Sequence, residues 1–388
     1  MTQTTDFDAI TIEHLRRVGS VKWSAYPDAL GAFVAEMDFG TAPQVTQALH
    51  EAVDTGVFGY LPAALEQQLA TAWRDWARTV YDWDVPVERV RPMPDVIAAL
   101  QATIEHFSAP GSPVILPTPA YMPFLTVPPA AGREVIQVPM AREGDRYVYD
   151  LDALDAAFAA GGNLLILCNP HNPIGRVLER AEMEQVAEVV ERHGGRVFSD
   201  EIHAPLVLGG HRHVPYASIS EVAAGHTVTA TSASKAWNLP GMKCAQLVLS
   251  NDEDASRWAR VGSAHEHGAA NLGVVANIAA YTSGRDWLGR VLDYLHGSSL
   301  LLADLLTEHL PEVGYTPPEG TYLAWLDCRE LGLGDRPAEF FRRRAGVALT
   351  DGTLCGRAGA GFVRLNFGTP RPILTQIVQQ LGAAVRAR

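Results

Sequence analysis

One lysine has neighbours that could do chemistry with it. In TSASKAWNLPGMK, residues 231–243, Ser232 and Ser234 lie just before Lys235, and a second cation, Lys243, follows eight positions later. A lysine amine can condense with an aldehyde, while hydroxyl groups and a cation can bind a phosphate. The spacing therefore predicts a site for a small molecule that carries both an aldehyde and a phosphate.

Two more polar segments follow apolar runs of the chain. CNPHNPIG contains Asn172, and SDEIH contains Asp200 and His203. The SASK segment around Lys235 follows a third apolar run. Because ligands of parallel sheets bind at the carboxyl ends of the strands, we expect these side chains to converge on one pocket.

The elements that must position these residues form an α/β pattern. From about residue 50 to 275, amphipathic helices such as 180–195 alternate with short apolar runs, which predicts a mainly parallel sheet buried on both faces. The runs are PVILP (113–117), REVIQVP (133–139), NLLILCNP (163–170), GRVFSDE (195–201), TVTATSA (227–233) and AQLVLSN (245–251).

The rest of the chain predicts a second, smaller α+β domain. A long helical stretch covers 285–310, and strand-like runs follow at 321–328 and 361–368. The expected domains are a large α/β domain, 48–275, and a small α+β domain, 1–47 with 276–388.

Together these segments resemble the fold-type I, aspartate aminotransferase superfamily of enzymes that use pyridoxal 5′-phosphate (PLP). Within it they resemble the MalY/PatB cystathionine β-lyase (C–S lyase) group, over nearly the whole chain. The resemblance implies an α/β fold with a large domain on a mainly parallel, seven-stranded sheet. It also implies a PLP cofactor, with Lys235 as the Schiff-base lysine.

The resemblance implies roles at the cofactor ring. Asp200 would pair with the pyridine nitrogen and keep it protonated, and Asn172 would hydrogen-bond the 3′-oxygen. His203 stands where aminotransferases commonly have a tyrosine, as it does in the C–S lyase group. Tyr121, in PTPAYMPF, would stack on the ring. Lys235, Asp200 and Tyr121 are thus the implied catalytic residues.

The implied phosphate site lies at the start of a helix in MPDVIAAL, where the first N–H groups lack partners within the helix. Its implied ligands are Ser232, Lys243 and the backbone amides of Val96 and Ile97. Ser234 and Asn271 would lie near the cofactor. Tyr60, in TGVFGY, would reach the phosphate of a partner subunit, which implies a homodimer with composite active sites.

The substrate is implied to be a small amino acid. Arg364, in FVRLNFGTPRP, matches the arginine that takes the α-carboxylate, because a planar guanidinium binds a carboxylate through two hydrogen bonds. Asn172 is also implied in substrate binding, and Met37 with Asp38, in FVAEMDF, would close over the substrate. The apolar residues expected to accept varied sulfur substituents are Met122, Phe124 and Trp237.

Several segments resemble C–S lyases in particular, namely DEIH, SASKAWNLPGMKCAQ, VAEMDF and SVKW. The implied reaction is β-elimination from cystathionine or S-substituted cysteines, which gives a thiol, pyruvate and ammonia. Two alternatives stay open. An aminotransferase would require an oxo-acid acceptor, and turnover of any kind would exclude a purely regulatory or binding protein.

Charge and composition argue against several other kinds of protein and site. With 31 basic and 44 acidic residues, the net charge of -13 offers little to nucleic acid or an anionic membrane. The four cysteines lie far apart without a CxxC pair, so we expect reduced thiols and no metal site. HRH (211–213) and HEH (265–267) are expected on solvated loops.

The beginning of the chain predicts a cytoplasmic protein. MTQTTDFDAI is polar and acidic and has neither the basic nor the apolar region of a signal peptide. No apolar run approaches the roughly 18 residues that a membrane helix needs.

Overall fold

The structure is a computed structural model and describes residues 6–388. Its strands are β1 (Leu30–Gly31), β2 (Val90–Met93), β3 (Val114–Thr118), β4 (Val135–Pro139), β5 (Ala141–Glu143), β6 (Arg146–Val148), β7 (Leu164–Cys168), β8 (Arg196–Asp200), β9 (Thr227–Thr231), β10 (Ala245–Leu249), β11 (Leu323–Asp327), β12 (Val347–Ala348), β13 (Thr350–Asp351) and β14 (Phe362–Asn366).

The helices surround the sheets and join the strands. They are α1 (Ile12–Val18), α2 (Val21–Ser24), α3 (Pro43–Asp54), α4 (Ala63–Tyr81), α5 (Val96–His106), α6 (Pro123–Ala130), α7 (Leu151–Ala159), α8 (Arg180–Arg192), α9 (Glu221–His226), α10 (Asp252–Val261), α11 (Ser263–Glu266), α12 (Asn271–Ser283), α13 (Arg285–His309), α14 (Pro337–Phe340) and α15 (Arg371–Arg386). Among the helices of residues 6–388, none combines the length and apolar character of a membrane span.

A seven-stranded sheet carries the predicted α/β fold. Its strand order is β2-β10-β9-β8-β7-β3-β4, and β10 runs antiparallel to both neighbours while the other pairs are parallel. All six predicted apolar runs form strands of this sheet, and every residue of β3, β7, β9 and β10 is buried. The edge strand β2 was not predicted, because it is four residues long and contains Pro92.

A smaller antiparallel sheet has the order β11-β14-β13. It confirms the two strands predicted in 321–328 and 361–368, and α13 confirms the long helix predicted before them. The N-terminal segment joins this part of the chain, because β1 pairs in parallel with β12. The predicted domain boundaries, at 47/48 and 275/276, fall inside α3 and α12 and stay a prediction.

The order of the strands explains where a ligand can bind. From β3 the chain moves to one side of the sheet to form β4, and then returns to the other side to form β7, β8 and β9. The carboxyl ends of these parallel strands share one edge, with a crevice between β3 and β7. That edge carries Asp200, at the end of β8, and the loops there carry Tyr121, Asn172 and Lys235.

Candidate active site

Lys235 lies in the turn after β9 and is half-buried. Its Nζ donates a hydrogen bond of 2.8 Å to the backbone oxygen of Ala35. Burial, together with the positive charge of Arg364, lowers the pKa of Lys235 to about 8, although Asp200 and Glu36 oppose the shift. A lysine with this pKa has a much larger neutral fraction near pH 7 than an exposed lysine, so it can act as nucleophile and base.

Asp200 is the last residue of β8 and is 4% exposed. Its Oδ1 accepts a hydrogen bond of 3.0 Å from the backbone N–H of Ile202. Burial raises the pKa of Asp200 to about 7, although this hydrogen bond and Lys235 favour the charged form. Within residues 6–388 the carboxylate has no ion-pair partner, and a buried carboxylate is costly without one. A protonated pyridine ring would supply the missing cation.

Arg364 projects from the middle of β14 and is 2% exposed. Its Nη1 donates to Asn172 Oδ1 over 3.0 Å, and its Nη2 donates to the Phe33 oxygen over 2.8 Å and to Thr350 Oγ1 over 3.2 Å. Its Nε has no hydrogen-bond partner. No carboxylate of the described chain pairs with this buried guanidinium, which therefore fits the α-carboxylate of a substrate.

Two rings flank these charged groups. His203 is buried, and burial with the cations Lys235 and Arg364 holds its pKa well below the usual value, so the imidazole is neutral. Its Nδ1 has no hydrogen-bond partner. Tyr121 is half-buried against the edge of Phe124, with ring centroids 5.4 Å apart. Burial raises the pKa of Tyr121, so its hydroxyl stays protonated at neutral pH.

The predicted phosphate site lies at the start of α5, which begins at Val96 as expected. Asp95 caps this helix, because its Oδ1 accepts from the Ala98 N–H over 2.8 Å. Lys243 reaches the same end and pairs with Asp95 Oδ2 over 2.9 Å. The amides of Val96 and Ile97 open the helix, so the predicted backbone donors and the predicted cation lie together.

The two serines are tied to the turn that carries Lys235. Ser232 Oγ donates to the Cys244 oxygen over 2.7 Å and accepts from the Ser234 N–H over 3.0 Å. The hydroxyl proton of Ser232 is thus committed to the backbone, and a phosphate contact requires the hydroxyl to turn. Ser234 is half-buried.

Tyr60 packs against little of its own chain, since its side chain is 95% exposed. Asn271, at the start of α12, fixes the neighbouring loop by donating to the Gly59 oxygen over 2.8 Å. The contact of Tyr60 with a partner subunit stays a prediction.

The segment around Met37 is held against the turn of Lys235. The Met37 N–H donates to Asn238 Oδ1 over 2.9 Å, and Asn238 Nδ2 donates back to the Met37 oxygen over 2.8 Å. Asp38 is buried, pairs with Lys22 over 2.8 Å and accepts from Trp23 Nε1 over 2.8 Å. The SVKW and VAEMDF segments are therefore one structural unit.

Comparison with known proteins places this geometry in a family. The sequence profile of aminotransferase class I and II matches residues 33–381. The chain belongs to this family.

Relatives of this aminotransferase-family chain include cystathionine beta-lyase of Corynebacterium glutamicum, which is 36% identical over 96% of this chain and 99% of that protein. Protein MalY of Escherichia coli (strain K12) is 35% identical over 93% of this chain and 92% of that protein. A solved structure, the PLP-bound C–S lyase from Staphylococcus hominis, matches with a TM-score of 0.90 and 26% identity over 98% of both chains. The predicted membership and fold are confirmed.

The structure contradicts two sequence-based expectations, one about Trp237 and one about His213. Trp237 does not line the pocket, because its ring packs against Trp76 and Tyr281 in the core and its indole N–H donates to the Gly284 oxygen over 3.0 Å. His213 is not on a solvated loop, since it is buried 3.0 Å from Glu201 Oε2. His265 is half-buried in α11.

Sequence reasoning also missed residues of the site. Tyr322 is buried, and its hydroxyl donates over 2.9 Å to the Ala35 oxygen that also accepts from Lys235. Nothing in TYLAWLDC separates this tyrosine from an ordinary core aromatic. Asp95 did carry a signal, because aspartate directly before a predicted helix is a preferred N-cap residue.

Proposed function

We propose that this protein is a PLP-dependent C–S β-lyase. It converts cystathionine or another S-substituted cysteine, with water, into a thiol, pyruvate and ammonia. The observation that carries the proposal is the convergence of Lys235, Asp200, Asn172 and Arg364 at one edge of the sheet. Asp200 and Arg364 are buried charges without counter-ions in the described chain, which a cofactor and an amino acid would supply.

The residues present fit the cofactor. When bound, PLP supplies an aldehyde that links to amines and an electron-withdrawing ring that acidifies the substrate Cα–H. Asp200 would hold the ring nitrogen in its protonated form, and Asn172 would donate to the 3′-oxygen through its amide nitrogen, because its amide oxygen already accepts from Arg364. Tyr121 and His203 would flank the ring, and the start of α5 with Lys243 and Ser232 would bind the phosphate.

Arg364 orients the substrate. Its buried guanidinium is held by Asn172, Phe33 and Thr350, so its direction is fixed before the substrate arrives. A carboxylate that replaces water here gains a charge-assisted hydrogen bond in a medium of low dielectric constant. The α-carboxylate is thereby positioned, which turns Cα toward Lys235.

Lys235 moves the proton. Its neutral amine, favoured by a pKa of about 8, accepts the proton from Cα of the substrate. The bond between Cβ and sulfur then breaks, the electron pair leaves with the thiolate, and a Cα–Cβ double bond remains. Hydrolysis of that enamine gives pyruvate and ammonia. Ala35 and Tyr322 hold the amine between these steps through the shared carbonyl oxygen.

Aminotransfer is the second candidate, because the family includes aminotransferases and the same charged residues serve both reactions. Elimination is favoured by His203 in the place of the common tyrosine, and by the names of the relatives, cystathionine beta-lyase and C–S lyase. The two reactions differ in their need for an acceptor. Aminotransfer needs an oxo-acid to complete each catalytic cycle, and elimination needs none.

We further propose a cytoplasmic homodimer of two-domain subunits. Tyr60 and Phe58 are large exposed aromatics on one loop, 95% and 67% exposed, which is typical of a surface that a partner covers. The four cysteines are buried and free, which fits a reducing compartment. The amino-acid substrate is the other partner.

The proposal is tested by covalent mapping and by product analysis. Borohydride reduction of the purified holoenzyme should fix PLP on Lys235, and a label on another lysine would contradict the assignment. A panel of S-substituted cysteines should then release the matching thiol from each member. Formation of the corresponding thioether-containing oxo-acid, with the substituted sulfur still attached to Cβ, would support aminotransfer instead.

A further inference from the structure

Two histidines from distant parts of the chain face each other away from the proposed active site. His106 is the last residue of α5, and His265 lies in α11. Their Nε2 atoms are 2.9 Å apart, and the rings meet at 75° with centroids separated by 5.1 Å. Both rings are half-buried.

A carboxylate completes the group. Glu105 Oε2 lies 3.8 Å from His106 Nε2, and the ligand atoms of Glu105, His106 and His265 all lie within 4.8 Å of one another. The Glu105 side chain is 66% exposed, which leaves it free to turn toward the two rings. The three side chains thus offer two imidazole nitrogens and one carboxylate oxygen to the same point.

The distance between the two rings restricts where their protons can lie. Two neutral imidazoles at this distance share one proton, because one nitrogen must donate and the other must accept. If the proton of the donating ring moves to its Nδ1, both Nε2 lone pairs point into the same gap, where they repel unless a cation lies between them.

We propose that Glu105, His106 and His265 bind one divalent transition-metal ion, with Zn²⁺ as the representative. Two nitrogens at about 2.0–2.1 Å from a tetrahedral ion are roughly 3.3 Å apart, so the rings need to separate only slightly. Imidazole and carboxylate suit Zn²⁺, Ni²⁺ and Cu²⁺ better than Mg²⁺ or Ca²⁺, which take oxygen ligands. Water on the exposed side fills the fourth position.

The neighbouring contacts keep His265 in place. Trp258 stacks on its ring with centroids 5.6 Å apart, and the Trp258 indole donates to Glu266 Oε1 over 2.7 Å. Arg91 pairs with the same carboxylate over 2.7 Å, so Glu266 is occupied and is not a ligand. The site is therefore held on one side by a fixed histidine and closed by two residues of α5.

Binding of the metal ion would connect two helices, α5 and α11. The ion would join the C-terminal end of α5 to α11, while the opposite end of α5 carries the proposed phosphate site. A bound ion should therefore raise the melting temperature of the protein, because it binds the folded chain and links segments 159 residues apart. This inference does not depend on the proposed reaction.

The test uses tag-free holoenzyme that has been treated with a chelator and then exchanged into buffer. Titration with zinc sulfate, followed by calorimetry and by metal analysis after gel filtration, should give one tightly held ion per chain and a higher melting temperature. His106→Asn and His265→Asn should each remove this ion and the thermal shift. The matched control, His50→Asn, changes an exposed histidine and should keep both.

Folding of each variant is checked by its cofactor absorbance and circular dichroism. Glu105→Gln, on the exposed side, provides a variant with little risk to folding and should weaken zinc binding roughly tenfold or more, in line with the loss of one ligand. No ion held by the wild type, or equal occupancy in the wild type and both histidine variants, would overturn the proposal.

Discussion

The Arg364 guanidinium donates to the side-chain oxygen of Asn172 over 3.0 Å, so the residue expected to bind the substrate touches a residue expected to bind the cofactor. Arg364 comes from β14 of the small sheet, and Asn172 follows β7 of the large sheet. The contact joins the two sheets across the crevice. Substrate carboxylate and cofactor ring should therefore be held in one fixed relation.

Arg364→Lys keeps a positive charge but loses the planar pair of donors. We expect kcat/KM for an S-substituted cysteine to fall by roughly 10- to 100-fold, mostly through KM, because one charge-assisted hydrogen bond contributes about 1.5–3 kcal/mol. Steady-state kinetics measure the fall, and cofactor absorbance should stay near the wild-type value. Arg329→Lys, at an exposed ion pair with Asp327, is the control. Equal loss of cofactor and substrate binding would place Arg364 in the cofactor site instead.

Asp200→Ala removes the carboxylate expected beside the ring nitrogen. The rate of Cα deprotonation should fall by about 10² to 10⁴, a range typical of such electrostatic and acid–base contributions. Exchange of the substrate Cα proton with deuterated solvent, followed by NMR, measures this step directly. The phosphate contacts should retain the cofactor. Near-wild-type exchange in this variant would count decisively against the role of Asp200.

The lowered pKa of Lys235 predicts a pH dependence. Only the neutral amine attacks an aldehyde, so the rate at which cofactor-free protein binds PLP covalently should rise about tenfold per pH unit below pH 8 and level off above it. Stopped-flow absorbance follows the reaction. Glu36→Gln should move the midpoint to lower pH, since Glu36 raises the pKa of Lys235. A midpoint near 10.5, the ordinary value for lysine, would contradict the buried environment.

Tyr60 provides a test of composite sites. Lys235→Ala and Tyr60→Ala should each impair activity, and mixing the two under conditions of subunit exchange should restore some sites that carry both residues intact. Activity before and after exchange measures the recovery. Mass-labelled subunits verify that exchange has occurred. If exchange is complete and activity does not return, the active site is built within one chain.

The sequence predicted those site residues whose position depends on the local pattern of apolar and polar residues. Asn172, Asp200 and Lys235 could be assigned because each follows a buried apolar strand, and the sheet brings strand ends together. Tyr322 and Asn238 could not, because their contacts with Ala35 and Met37 cross 287 and 201 residues of chain and arise only when the sheets meet. The core position of Trp237 was missed for a related reason, since its aromatic neighbours Trp76 and Tyr281 come from α4 and α12, far away in the sequence.

The central claim is that the bound amino acid loses its sulfur group without a second substrate. The direct measurement is release of pyruvate from cystathionine, coupled to lactate dehydrogenase, with no oxo-acid present at the start. We predict many equivalents of pyruvate per active site at a constant rate, with equal amounts of ammonia and thiol, and no activity in Lys235→Ala. Absence of pyruvate, with one equivalent of the sulfur-containing oxo-acid of cystathionine formed per active site and more only when 2-oxoglutarate is added, would contradict the lyase and establish an aminotransferase.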